Sequence, residues 1–453
     1  MDTNPASKLE RSLGLFPATN IVIANIIGAG IFTTSGLLMS DLNNPMLMII
    51  LWIVGGIIAL CGALSYAELG ANMPHAGGEY LFLSRLYNPL AGFLSGWVSF
   101  IVGFSAPIAA SAIGFSAYFF RAFPSIPVWM ENNTWISAAL SQKLLAISVI
   151  ILFSAIHYRG LKLGTKIQNY LTILKVALII GLISVGFIAG KGDMSHFNEG
   201  PIIISGIGGW KTVGLSLMWI MFAYSGWNAS TYIGSEIKNP KRNLPGSLLI
   251  GTVIVIVLYL LINLLFIYAI PAGEIKGVIS VGGLAMEKMF GMTGGIISSL
   301  LISFALFSSL SAFLIIGPRV YYSMAKDGLF FKSAAKIHPE FNVPSISIVF
   351  QCTIAIILTA SGTFEQILTF MGFSLGIFPL LAVAGVIKQR LSGKTSFKIP
   401  GYPVAQIVYL ISGLLILILA YLERPFESSI GILTVLIGVP AYFIFTSNSK
   451  KNK

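Results

Sequence analysis

The sequence predicts an all-α integral membrane protein of about twelve transmembrane helices. It reads as two five-span units entering the membrane from opposite sides, with helices 1 and 6 broken and two helices added after them. Three observations predict this. Of 453 residues, 56% are hydrophobic and 10% charged, and the mean hydropathy is +0.87; a soluble domain is about one quarter charged. Apolar runs of about 20 residues recur along the whole chain. Two of those runs are interrupted by glycine at matching places, Ile26-Ile27-Gly28-Ala29-Gly30-Ile31-Phe32 and Phe222-Ala223-Tyr224-Ser225-Gly226-Trp227-Asn228.

The predicted spans are 15–40, 46–72, 90–120, 141–157, 167–190, 212–236, 246–270, 296–323, 345–361, 366–388, 403–421 and 428–446. The first holds the Gly28-Ala29-Gly30 interruption, followed by the hydroxyls of Thr33, Thr34 and Ser35. The second is apolar up to Glu68, and a compact polar turn from Met73 to Tyr80, with Gly77-Gly78 at its centre, leads to the third. Loop 121–140 contains no cysteine, and Cys61 and Cys352 fall within spans, so no disulfide-linked partner subunit is expected there. The fifth span carries Lys175, the sixth the second interruption, and the seventh Asn263. Loop 271–295 has a weak amphipathic pattern suited to a short helix dipping back. The core is expected over 1–400, with inverted repeats over 12–190 and 210–390, and 401–453 supplies two extra helices and a cytoplasmic tail. The polar start Met1-Asp2-Thr3-Asn4 gives no sign of a removable signal peptide. Residue identity between the halves is negligible, so the repeat rests on span parity and the two breaks.

A net charge of +12 suggests nucleic acid at first sight, but its distribution argues otherwise. With the N-terminus inside, inner segments hold 20 of the 28 Lys and Arg, including Lys8, Lys162, Lys166, Lys394, Lys450, Lys451 and Lys453, and outer segments hold 7. That asymmetry is the positive-inside rule, and an even number of spans then places both termini in the cytoplasm.

Unwound backbone within a membrane is tolerated only where it is buried in protein or lines a cavity, and a pair of broken helices at corresponding places marks a transporter's binding site. At the first break, Gly28, Ala29 and Gly30 free backbone N–H groups, and the following half-helix points its positive end into the gap, which suits a carboxylate. Ile27 precedes them in the same break. At the second, carbonyls of Phe222, Ala223 and Tyr224, left unpaired by Ser225-Gly226, suit an ammonium group. Phe222, Tyr224 and Trp227 are candidates to cover a ligand. The competing reading is ordinary close packing of small residues and core aromatics.

Lys175 lies about nine residues from the inner edge of its span, roughly 13 Å deep at 1.5 Å per residue. Insertion there costs at least about 2.5 kcal/mol, so the side chain is expected to face the interior and to be paired or neutral. Ser308, Ser309 and Ser311 lie at similar depth as candidate partners. Glu68, Arg85 and Glu236, with Glu79 and Asp327 nearby, are candidates for an inner gate. The histidines show no metal-ligand spacing, and neither metal nor cofactor is expected. No set of nucleophile, base and orienting group appears, so an enzyme is not expected.

In combination, three stretches resemble the amino acid–polyamine–organocation superfamily. They are Gly28-Ala29-Gly30-Ile31-Phe32; Tyr66-Ala67-Glu68-Leu69 with Pro74, Ala76, Gly77, Gly78 and Tyr80; and Gly317-Pro318-Arg319-Val320-Tyr321-Tyr322 with Met324, Ala325, Asp327 and Gly328. Phe222 to Asn228, with Glu236, Asn239, Pro240, Arg242, Asn243, Leu244 and Pro245, is similar to its L-type amino acid transporter branch. The resemblance implies the five-plus-five leucine-transporter-type fold and a multi-pass protein of the cell membrane. It implies transport of neutral L-α-amino acids, commonly sodium-independent exchange, and places Lys175 where sodium-coupled relatives bind the ion. Ala29 and Ser225 depart from the family's frequent Ser and Asp. The expectation is therefore an alternating-access exchanger of neutral amino acids. The rivals are a proton symporter with a titrating Lys175 and an amino acid sensor that binds without moving its ligand. A polyamine carrier would need acidic residues at the breaks, and neither break supplies one.

Overall fold

The computed structural model describes residues 11, 13–133, 136–159, 161–202, 204–341, 343–393 and 395–450, and among these the side chains of 133, 161–167 and 448–450 are left out. Lys8, Lys394, Lys451 and Lys453, which enter the charge asymmetry, lie outside the described residues, as do the side chains of Lys162, Lys166 and Lys450.

The helices run in order as α1 Leu15–Ile26, α2 Ala29–Leu42, α3 Pro45–Asn72, α4 Glu79–Leu86, α5 Pro89–Val98, α6 Ser105–Ala122, α7 Ser125–Asn133, α8 Ala138–Tyr158 and α9 Leu161–Ala189. They continue as α10 Gly206–Ala223, α11 Pro240–Ala269, α12 Ala272–Ile275, α13 Val281–Lys326, α14 Ser345–Ser361, α15 Phe364–Leu391, α16 Val404–Glu423 and α17 Pro425–Lys450. Among the described residues, extended pairing is confined to two isolated bridges, Leu13 with Ile237 and Ala76 with Ile233. Among the described residues, ten helical segments are long and apolar enough to cross a membrane; the shorter Ser345–Ser361 and the interrupted sixth segment complete the twelve expected spans.

Local sequence explains the boundaries. Asn44 and Asn88 cap α3 and α5 by accepting from Leu47 and Ala91 N–H, and each is followed by proline at the first helical position, where a missing N–H costs nothing. Thr363 and Gln366 form a reciprocal capping box on α15. The seventh span starts at Pro240, earlier than its apolar run suggests, because Asn239 takes a left-handed conformation and Pro240 opens the helix. The third span is not one continuous helix: a π-turn at Ser99–Gly103 separates α5 from α6, a local widening frequent at functional sites. The loop expected to dip back forms α12 and the start of α13, and Gly291, with φ 74°, bends α13 before it crosses.

The core is continuous through the first ten spans, whereas α16 and α17 keep broad apolar faces exposed, with Ile411, Leu414, Leu433 and Leu436 among them. Those faces suit acyl chains, because lipid replaces water as the outer solvent.

Candidate functional site

α1 ends at Ile26 and α2 begins at Ala29, so the first break spans two residues. α10 ends at Ala223, and the chain continues through short 3-10 turns at Ala229–Tyr232 and Gly234–Glu236. The second break is therefore wider, with no α-helix on its far side before α11. The two breaks cross in contact. A Cβ on Gly30 would stand 2.7 Å from Ala223 Cα, and one on Gly226 would stand 2.7 Å from the Asn25 carbonyl carbon. Gly226 also has φ 100°, a conformation that side-chain-bearing residues rarely adopt. Glycine at both places is what lets the unwound segments meet.

Between them lies a small cavity of about 10 Å³ lined by Gly28, Ala29, Gly30, Phe222, Ala223 and Ser225, with Asn25, Ser111 and Phe313 beside them. No charged side chain lines it. The first N–H groups of α2 belong to Ala29, Gly30 and Ile31 and have no intrahelical acceptor. Opposite them is the C-terminal end of α10, where Ser225 N–H turns back onto Phe222 O at 2.8 Å. Asn25, Phe222, Ser225 and Phe313 also border a larger cavity, which continues past the π-turn to Glu79, Trp227, Asn228 and Tyr232.

Some expected site residues lie elsewhere. Ile27 does not line the small cavity; its carbonyl accepts from Lys175 Nζ at 2.5 Å and Ser309 Oγ at 2.8 Å. Tyr224 does not cover the cavity either: it is buried against Trp52 and Tyr259, with its hydroxyl on Trp52 O at 3.3 Å. Gly226 and Trp227 border the larger cavity. The expectation of three unpaired carbonyls needs correction, since Phe222 O closes a turn and Ala223 O takes the Tyr259 hydroxyl at 3.0 Å. That hydroxyl also lies 2.8 Å from Ile26 O, so a single proton is shared between the breaks. Sequence reading missed Tyr259. The available signal was its position four residues before Asn263, which puts both on one face of α11. Asn263 accepts from Ser35 Oγ at 2.6 Å, tying α11 to α2 as well.

Lys175 is 1% exposed and donates to Ile27 O, to Ser309 Oγ at 3.0 Å and to Ala24 O at 3.3 Å. Three acceptors match the three donors of an ammonium group, and the end of α1 turns its negative dipole toward it. Of the three candidate serines only Ser309 meets the lysine. Ser308 accepts from Gln168 at 3.2 Å, and Ser311 sits 2.9 Å from His157 Nε2. Successive helical residues point about 100° apart, so depth alone could not choose among them.

The expected inner gate is divided. Glu68 pairs with Arg390 in a two-pronged contact and accepts from Ile399 N–H, fastening the end of α15 to α3. Glu236 pairs with Arg319 at 3.1 Å. Arg85 forms no salt bridge among the described residues. Asp327 accepts from Tyr80 at 2.5 Å.

A family model described as amino acid permease matches residues 13–443. The chain belongs to the amino acid permease family. The serine/threonine exchanger of Bacillus subtilis is 29% identical over 444 residues, covering 96% of this permease and 97% of that protein. Human large neutral amino acids transporter small subunit 2 is 27% identical, covering 96% of this chain and 80% of its own. The human cystine/glutamate transporter is also 27% identical, with 98% and 87% covered. This permease is thus a multi-pass membrane transporter of amino acids, of the amino acid–polyamine–organocation superfamily, and not an enzyme.

Proposed function

We propose that this permease exchanges neutral L-α-amino acids across the cell membrane by alternating access, with both termini in the cytoplasm and without a sodium ion. One observation carries this reading: the small cavity is bounded by the N-terminus of α2 and the C-terminus of α10, and no charged side chain lines it. A carboxylate is stabilised at the first helix end and an ammonium at the second, each by about 0.3–2 kcal/mol. A substrate side chain without charge needs no counter-ion there. The frequent occurrence of exchangers and neutral amino acid transporters among the relatives supports the same choice.

In this reading the carboxylate takes N–H groups around Ala29 and Gly30, and the ammonium takes carbonyls around Phe222 to Ser225, Phe222 O and Ala223 O through the lone pairs that their present hydrogen bonds leave open. Lys175 joins α1 to α9 and α13 through its three hydrogen bonds. The repeats 12–190 and 210–390 rock against each other about the crossed breaks, with 401–453 outside the moving core.

Counterflow in proteoliposomes tests this. A labelled neutral amino acid should accumulate only where unlabelled substrate is inside, with or without sodium and with no pH difference. Uptake that needs a proton gradient and no internal substrate would instead establish symport, and saturable binding without counterflow would establish a sensor.

A further inference from the structure

The larger cavity has a carboxyl on its wall that substrate recognition does not use. Glu79 opens α4, the short helix linking the second and third spans, outside the transmembrane segments. Gly77 and Gly78 turn into it with φ 118° and 52°, and a Cβ on Gly78 would stand 2.4 Å from the Tyr232 ring. The turn therefore presses Glu79 against the chain that leaves the second break. Its side chain is buried, and Oε1 accepts from Tyr66 Oη at 2.8 Å and from Asn228 Nδ2 at 2.8 Å. Tyr66 belongs to α3, and Asn228 lies two residues after Gly226. The other groups facing the carboxyl are Ser95 of α5, Tyr232 and Tyr409 of α16.

None of these is a cation, and no salt bridge among the described residues reaches Glu79. This sets it apart from Glu68 and Glu236, which hold arginines. A buried carboxylate without a counter-ion favours its neutral form. Burial raises Glu79 from 4.5 to about 7, against a smaller downward pull from hydrogen bonds of Tyr66, Asn228, Tyr232 and Ser95. The Ser95 hydroxyl faces the same carboxyl; it donates to the carboxylate and its oxygen accepts the O–H that the neutral acid gains.

We propose that Glu79 is a proton-binding site that latches the segment after the second break to α3, holding the larger cavity closed when neutral and admitting water when ionised. The sign follows from the raised value. The closed form keeps its proton up to about pH 7, while a hydrated Glu79 returns to 4.5. The closed conformation is favoured below that ordinary value, loses its advantage as pH rises through the interval, and carries the full penalty above the raised one.

Two measurements test this, one independent of the proposed exchange. Infrared difference spectra of the purified permease should show a protonated carboxyl band near pH 5 that is lost by about pH 8 and absent from Glu79→Gln. No such band in the wild type, or one unchanged in the variant, overturns the proposal. In proteoliposomes with equal pH on both sides, wild-type exchange should rise severalfold from about pH 5 to about pH 8. Glu79→Gln, isosteric with the neutral acid, should stay at the acid-side rate throughout. A variant that keeps the wild-type rise also overturns the proposal. A titrating band in a protein that exchanges nothing would support the proton site and refute the exchange reading alone.

Discussion

The two breaks solve one problem with opposite electrostatics. The first is narrow, with α-helix on both sides, and its freed carbonyls are held by the ammonium of Lys175 through Ile27 and Ala24. The second is wide, runs on through 3-10 turns, and is joined by Asn228 to a carboxyl that no cation among the described residues balances. The lysine meets three acceptors at the C-terminal end of a helix. A buried carboxyl given two donors and no cation is poised to change its charge. The contrast teaches that the first break is fastened by an amine and the second by a carboxyl, each without a counter-ion beside it among the described residues. Tyr259 touches both and keeps them in register.

The sharpest way to break this comparison is to remove the pin. Lys175→Ala takes the lysine donor from Ala24 O and Ser309 Oγ, at about 1–3 kcal/mol each, and leaves Ile27 O only its Ser309 contact, so it should reduce counterflow by at least about tenfold. Wild-type rates in that variant would end the assignment of Lys175 as the anchor of α1. Next comes the crossing point. Gly226→Ala forces a side chain into a positive-φ position and against Asn25, so it should weaken substrate-induced thermal stabilisation by about 1 kcal/mol or more. Unchanged stabilisation by substrate would mean that the breaks tolerate separation. Tyr259→Phe removes the shared proton and should lower apparent affinity by about three- to tenfold, consistent with about 1 kcal/mol for one buried hydrogen bond. An affinity equal to wild type would show that packing alone aligns the breaks. The smallest effect separates neighbouring hydroxyls. Ser309→Ala should slow exchange by about threefold, whereas Ser308→Ala should change it by less than about twofold. Equal effects would place the lysine's contacts elsewhere on α13.

The spans and the two breaks were legible because a bilayer imposes length and apolarity on every crossing segment, and unwinding there requires small residues. Lys175 was legible for a related reason, since charge at that depth is too costly to be incidental. Other features were not legible. Nothing in the order of residues shows that α5 and α6 are parted by a π-turn, or that the chain after Gly226 stays out of α-helix as far as Pro240. Ser308, Ser309 and Ser311 are equivalent by depth and differ only in helical phase. Glu68, Glu79 and Glu236 are alike as acidic residues near one face, yet two hold arginines and one holds none. The sequence alone determined a twelve-span membrane protein with two paired interruptions and a lysine at mid-depth, because hydrophobic thickness and the cost of buried charge act on segments one at a time. Tertiary structure decided which carbonyls the lysine takes, that Tyr259 joins the two breaks, and that Glu79 faces no cation among the described residues. Those contacts depend on how helices far apart in the chain are turned toward one another, which no single segment records.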